Sequence, residues 1–293
     1  MEYINAKNIV SSNGYFGWFG NKYNMNIYRG CSHGCIYCDS RSSCYQIKDF
    51  DKIKAKNKAI SIIEKELKIK RKTGIIGTGA MSDPYNPYER KYEFTKKSLN
   101  LVNRYKFGIN ITTKSDLVTR DINIFKKINI HSPVLIGITI TADNDDISKK
   151  IEPYAPSSSK RFKAIKILSE NGIYVGIVMT PILPFITDTK ENIYSLVKRA
   201  KECKAKFIYP YFGVTLRRGQ REYFYLKLDE YFPGMREKYK TTYGYRYECD
   251  SLKKDELWKY FVSLCEKYDI KYKMNDIVKE AKNNIKTKQL SLF

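Results

Sequence analysis

Three observations predict the fold class of this sequence: an α/β protein on a partial or full (β/α) barrel, with a C-terminal α+β extension. Helical and strand-like patterns alternate at an even pace from residue 58 to residue 212, as βα units around a parallel sheet do. No glycine-rich dinucleotide fingerprint follows the first predicted strand, which argues against a doubly wound nucleotide-binding fold. Past residue 213 the texture changes, and residues 207–247 carry thirteen Phe or Tyr and eight Lys or Arg.

Taken in order, residues 24–28 (NMNIY) form a first strand that runs into a cysteine-rich loop. Ile62, Ile63, Leu67 and Ile69 recur at near-helical spacing over 58–71, and Gly74 then opens the strand-like run GIIGTG. Helices near 93–105 and 120–128 precede strands near 108–112 (GINIT) and 134–140 (VLIGITI). Helices at 158–171 and 189–203 lead to strands at 174–179 (YVGIVM) and 206–212 (KFIYPYF), and a helix at about 254–267 lies in the extension. The chain divides into an N-terminal segment 1–22, a barrel core 23–213, an extension 214–285 and a tail 286–293. In such barrels chemistry collects on the loops at the C-terminal ends of the strands, and the cysteine loop sits there after strand one.

Composition narrows the function. The 293 residues suffice for one large α/β domain or two small ones. The longest apolar runs fall well short of the roughly 20 residues a spanning helix needs. The opening MEYINAKNIV lacks a basic stretch followed by an apolar one, so a cytosolic protein without membrane contact is expected. The formal net charge of +23 suits a polyanion. Lysines outnumber arginines 41 to 13 beside much Ile, Asn and Tyr, so an AT-rich genome would produce the same excess.

Cysteine spacing is more decisive. Cys31, Cys35 and Cys38 fall within RGCSHGCIYCDS, while Cys44, Cys203, Cys249 and Cys265 are scattered. In a reducing cytosol clustered thiols are ligands or catalysts rather than disulfides. Three thiolates spaced C-x3-C-x2-C can hold three irons of a cubane cluster, leaving one iron for a substrate or cofactor. Structural zinc is the competing reading. It wants four ligands, and Cys44 is a better fourth than His33, which the backbone confines between the first two cysteines.

The string Cys31-Ser-His-Gly-Cys35-Ile-Tyr37-Cys38 resembles the cluster motif of radical S-adenosylmethionine (SAM) enzymes. That resemblance implies a partial (β/α)6 barrel and a 4Fe-4S cluster whose open iron chelates SAM. One electron then cleaves SAM to methionine and a 5′-deoxyadenosyl radical. Over about residues 23–200 the blocks GTGAMSDPYNPYE, TTKSD, ITITA, IEPYAPSSSKR and MTPILPFITD are similar to the spore photoproduct lyase group, often labelled DNA repair photolyases.

The resemblance assigns Ser82 and Asp83 to SAM contact, Lys114 to the SAM carboxylate, and Thr139 to a small hydroxyl position on strand four. Tyr37 is placed beside adenine, and Arg161 is a further candidate for the carboxylate. Each also has an ordinary reading: Thr139 as a strand residue, Lys114 as a solvated loop charge, Arg161 as a helix-start surface residue. Where the lyases place a hydrogen-donating cysteine this chain has Ala80, and where they place a relay tyrosine it has Asp39, so spore photoproduct repair itself is not expected. Cys44 is a candidate thiol to which the family assigns no role.

Two features point to nucleic acid, DNA first. The final Gln289-Leu290-Ser291-Leu292-Phe293 resembles the peptide by which bacterial replication and repair proteins bind the sliding clamp, with Leu290, Leu292 and Phe293 as apolar anchors and Gln289 as hydrogen-bond partner. Arg217, Arg218 and Arg221 can contact phosphates while Tyr209, Tyr211 and Tyr223 stack bases, or the tyrosines can be core. The reading is therefore a radical SAM enzyme acting on DNA, with an electron donor such as flavodoxin or ferredoxin. A peptide, protein or RNA substrate is the alternative reaction, and a zinc-bound DNA-binding module recruited by the clamp is the alternative without catalysis.

Overall fold

The computed structural model describes residues 1–12 and 17–289. Six strands build the core: β1 Asn21–Met25, β2 Ile75–Thr78, β3 Gly108–Thr113, β4 Val134–Thr139, β5 Val175–Met179 and β6 Ile208–Pro210. They pair in chain order and all in parallel, in registers such as Ile111 with Ile136 and Ile138 with Ile177. Each crossover carries a helix, α1 Ala59–Ile69, α2 Phe94–Arg104, α3 Ile122–Ile128, α4 Ser158–Glu170 and α5 Lys190–Glu202, and two crossovers add a shorter one at Glu89–Tyr92 and Asp145–Ile151. Among the described residues the sheet does not join β6 back to β1, and an antiparallel strand Val10–Ser12 extends it beside β1, so the barrel is partial.

The local causes are legible. β4 and β5 read VLIGIT and VGIVM without polar alternation because both faces are covered, and every residue of both strands is buried. On α1, Ala59, Ile63 and Leu67 recur every four residues and form the buried stripe against the sheet. Ser157 starts α4 by accepting from the Lys160 N–H at 3.4 Å, and Thr189 starts α5 by accepting from the Asn192 N–H at 3.1 Å.

One expectation changes. The first strand lies at 21–25 rather than 24–28, because Tyr28–Arg29 pairs antiparallel with Lys54–Lys56 and leaves the main sheet. The aromatic, basic segment is mostly helical: α6 Gln220–Tyr231 and α7 Met235–Tyr243 are followed by α8 Lys254–Tyr268 and α9 Met274–Gln289. In α6 aromatic, aliphatic and charged side chains interleave without a clean stripe, so periodicity did not announce it.

The extension shares a core with the cysteine loop: Ile36, Tyr37, Val214, Leu216, Phe224, Leu228 and Tyr239 pack in one cluster. Several of its aromatics are therefore interior, as Tyr239 shows with its ring buried and its hydroxyl donating to the Pro184 carbonyl at 2.9 Å. No helix among the described residues is long and apolar enough to cross a membrane.

Candidate active site at the C-terminal ends of the strands

The loops after β1, β2 and β3 and the end of β4 converge on a cavity of about 90 Å³ whose lining includes Cys31, Cys35, Cys38, Ser82, Lys114 and Thr139. Backbone geometry brings them together. Gly79, after β2, has φ +100°, and a Cβ there would sit 1.8 Å from the Thr112 carbonyl oxygen, so only glycine lets this loop lie against β3. Gly34, between two cysteines, has φ +68° and lies directly under the Tyr154 ring.

The cysteine loop is tied down on every side. The Cys31 N–H donates to the Phe50 carbonyl at 2.9 Å, the Ile36 N–H to Ile151 at 3.0 Å, and the Tyr154 N–H back to His33 at 3.1 Å. The Ser82 hydroxyl donates to the Gly30 carbonyl at 2.6 Å, and Gln220 Nε2 to the Tyr37 carbonyl at 2.9 Å. Such a loop presents its thiols in a fixed arrangement.

Burial pushes the thiols of Cys31 and Cys38 up to about 11 and that of Cys35 to about 12. Three buried thiolates are therefore stable only against a cationic centre, which is what an iron–sulfur core supplies. Among the described residues no three His, Cys, Asp or Glu side chains converge on the position of a single ion. Cys44, the expected fourth zinc ligand, is exposed and accepts from Arg217 Nη1 at 3.5 Å.

The charged groups form two networks. In the first, Asp83 Oδ1 accepts from the Thr113 hydroxyl at 2.7 Å and the Tyr85 N–H at 2.8 Å, while Oδ2 faces the Lys114 N–H and His33 Nε2, each at 2.9 Å. Burial alone would raise this carboxyl, but the His33 ring and these donors bring it down to about 2. Asp83 lines the cavity, and through these four protein donors it also positions its neighbours.

In the second network Glu152, 1% exposed, meets Arg161 Nη1 at 2.5 Å, accepts a hydrogen bond from the Tyr37 hydroxyl, and lies 4.0 Å from Lys114 Nζ. Burial opposes both charges, yet Arg161 and Lys114 hold Glu152 below its ordinary range, and Cys35 and Glu152 hold Lys114 above its own. Arg161 is no surface residue: it is fully buried, Nη1 also donates to the Thr139 carbonyl at 3.0 Å, and Nη2 has no partner. Sequence reasoning missed Glu152 as the hub of this network; its position in a Glu-Pro turn ahead of Arg161 was the available signal.

A wider mouth of about 400 Å³ shares Cys38, Gly79, Ala80, Lys114 and Thr139 with the first cavity and adds Trp18, Asp39, Tyr45 and Tyr211. On its rim Asp39 accepts from the Tyr45 hydroxyl at 2.9 Å and pairs with Arg217 Nε at 3.4 Å, while Arg217 lies over the Tyr247 ring at 4.8 Å. Arg217 is half-buried and Arg218 exposed. Arg221 corrects the expectation of phosphate contact: it is buried, and its guanidinium donates to the carbonyls of Leu216, Gly244, Tyr245 and Arg246. Tyr209 packs against Trp18, Tyr223 stacks on Arg41, and of the three suggested tyrosines only Tyr211 reaches the mouth. Leu290, Leu292, Phe293 and the side chain of Gln289 lie outside the described residues.

The sequence profile described as the Radical SAM superfamily matches residues 25–199, more than half of the chain. An uncharacterised protein of Methanocaldococcus jannaschii is 35% identical over 173 residues, 58% of this chain and 64% of that one. An uncharacterised protein of Mycobacterium tuberculosis is 25% identical over 231 residues, 76% of this chain and 67% of that one. The chain thus spans about two thirds of the length of these curated relatives. Among solved structures, a variant of spore photoproduct lyase superposes with a TM-score of 0.67 at 13% identity, over 91% of this chain and 78% of that one. Spore photoproduct lyase complexed with dinucleoside spore photoproduct gives 0.65 at 13% identity, over 91% of this chain and 79% of that one. At that identity the likeness establishes the fold.

Proposed function

This chain belongs to the radical SAM superfamily, and from that premise we propose that it repairs or modifies nucleic acid, DNA in the first place, by abstracting a hydrogen atom inside the wide mouth beside the cluster. The family's 4Fe-4S cluster and SAM are its cofactors, and together they supply the 5′-deoxyadenosyl radical when bound. Cys31, Cys35 and Cys38 would hold the cluster. Lys114 would meet the SAM carboxylate as a point charge, with Ser82 and Thr139 beside it and Tyr37 near the adenine.

The observation that carries the substrate class is the mouth itself. Trp18, Tyr45 and Tyr211 offer flat apolar faces of the kind on which bases stack, Arg217 stands at the edge beside Tyr45 and Asp39 where a phosphate would lie, and the exposed Arg218 follows it in the chain. A structural neighbour, spore photoproduct lyase, is complexed with a dinucleoside lesion, which supports the same class here. The lyase-specific cysteine and tyrosine are replaced by Ala80 and Asp39, so the lesion is a different one.

Two partners belong to this reading: a one-electron donor of flavodoxin or ferredoxin type, and the sliding clamp, bound through Gln289, Leu290, Leu292 and Phe293. The test is mass-spectrometric comparison of nucleosides from DNA and RNA of cells with and without the protein, before and after ultraviolet damage. A nucleoside that changes only with the protein supports the reading, and unchanged nucleosides in both polymers overturn it. Deleting 289–293 should abolish co-purification with the clamp, and persistence would remove that partner.

A further inference from the structure

We propose that His33 is a fourth protein ligand of the cluster, capping through Nδ1 the iron that no cysteine reaches until SAM displaces it. The inference rests on Cys31, Cys35 and Cys38 holding the cluster, as proposed above.

His33 lies between the first two cysteines, is 5% exposed, and lines the same cavity as all three. Its Nε2 is 2.9 Å from Asp83 Oδ2. The other partners of Asp83 are the Thr113 hydroxyl and the N–H groups of Tyr85 and Lys114, all able to donate, so the carboxylate is an acceptor on every side. Nε2 therefore carries a hydrogen toward Asp83, and in the neutral ring the lone pair resides on Nδ1. That Nδ1 is buried and has no hydrogen-bond partner.

An imidazole whose one nitrogen donates to a fixed carboxylate while the other faces a metal position is how proteins orient histidine ligands. Three thiolates occupy three irons and leave one iron without a protein ligand. The Nδ1 lone pair would form an Fe–N bond there with no change in oxidation state, and arrival of the SAM amino and carboxylate groups would break it. Binding of SAM then becomes an exchange of ligands, which protects the open iron from water and thiols in the resting protein.

The experiment uses the full chain, reconstituted anaerobically and reduced with dithionite, with pulsed electron paramagnetic resonance reading the nitrogen coupling to the cluster. Histidine labelled with ¹⁵N makes the assignment, because His131 is the other histidine of the chain and is occupied by Ser132 and Asn103. The expected result is a strong histidine-nitrogen coupling without SAM that responds to the label and disappears when SAM is added. His33→Gln should lack it while keeping its iron content.

A four-iron cluster in wild-type protein with no histidine coupling overturns the inference and leaves the cofactor reading intact. So does a coupling that persists once SAM is bound. Wild-type protein that assembles no four-iron cluster overturns both. The decisive measurement is on wild-type protein, so it stands even where His33→Gln folds poorly.

Discussion

The backbone N–H of Lys114 donates to Asp83 Oδ2 at 2.9 Å, so the loop after β2 fixes the residue that follows β3. The lysine side chain leaves from a point set by a carboxylate on the neighbouring loop. Asp83→Asn keeps the shape but turns one acceptor oxygen into a donor that faces an existing donor. Loss of about 1–3 kcal/mol of stability is expected from the unsatisfied buried groups, read as a lower denaturation midpoint. SAM affinity should fall with it although Lys114 is unchanged.

Removing the ammonium itself separates binding from folding. Lys114 Nζ is 4.0 Å from Glu152, a loose contact, so Lys114→Met should fold normally. A hydrogen bond to a charged group contributes about 1.5–3 kcal/mol, so SAM binding should weaken on the order of tenfold to a hundredfold. Calorimetric titration of SAM into protein of matched iron content measures it.

Arg161 and Glu152 are both withdrawn from water, so removing one partner leaves the other charge uncompensated. Arg161→Met should cost about 3–5 kcal/mol, and Arg161→Met combined with Glu152→Gln less than the sum of the two. The acid side of the stability curve follows from the same pair. Glu152 is held below its ordinary value in the folded chain. Its contribution is therefore complete above the ordinary carboxylate range, near 4.5, and fades as pH falls through and below it. Glu152→Gln should flatten that limb of an acid titration followed by circular dichroism.

Cys35→Ala should lose iron and sulfide and, with dithionite and SAM, make no 5′-deoxyadenosine. Cys44→Ala should retain the cluster, because that thiol is exposed on the rim and engaged with Arg217. Equal iron loss in both variants would make Cys44 a fourth ligand of the cluster.

The arginines of the extension should separate by burial. Arg217→Ala with Arg218→Ala should leave stability near wild type while weakening DNA binding. The salt dependence should drop too, its slope falling by about one for each phosphate that is no longer neutralised. Arg221→Ala should instead lower the melting temperature, because it strips buried carbonyls of their donor. Fluorescence anisotropy at several salt concentrations, beside thermal denaturation, tells the two effects apart.

Much of this was legible from residue order alone. The strands VLIGIT and VGIVM announce themselves by unbroken apolar runs, α5 by its stripe and its Thr189 cap, and the three thiols by a spacing that serves one kind of cofactor. Those signals are local: they repeat within a turn, a strand or a loop, and tertiary contacts reinforce them.

Which polar groups meet is a matter of tertiary structure. Arg221 and Arg217 are four residues apart, yet one is buried against carbonyls and the other pairs with Asp39 on the rim, because Arg221 lies on the inward side of the first turn of α6 whereas Arg217 precedes the helix. Asp83 belongs to Lys114 and His33, and Glu152 to Arg161 and Tyr37, through contacts between residues up to 115 positions apart in the chain. A charge's role depends on its partner and on its distance from water, and both are set by the folding of distant segments onto one another. Barrel and cofactor can thus be read from residue order, whereas folding selects which side chains are free to act on a ligand and which hold the site in place.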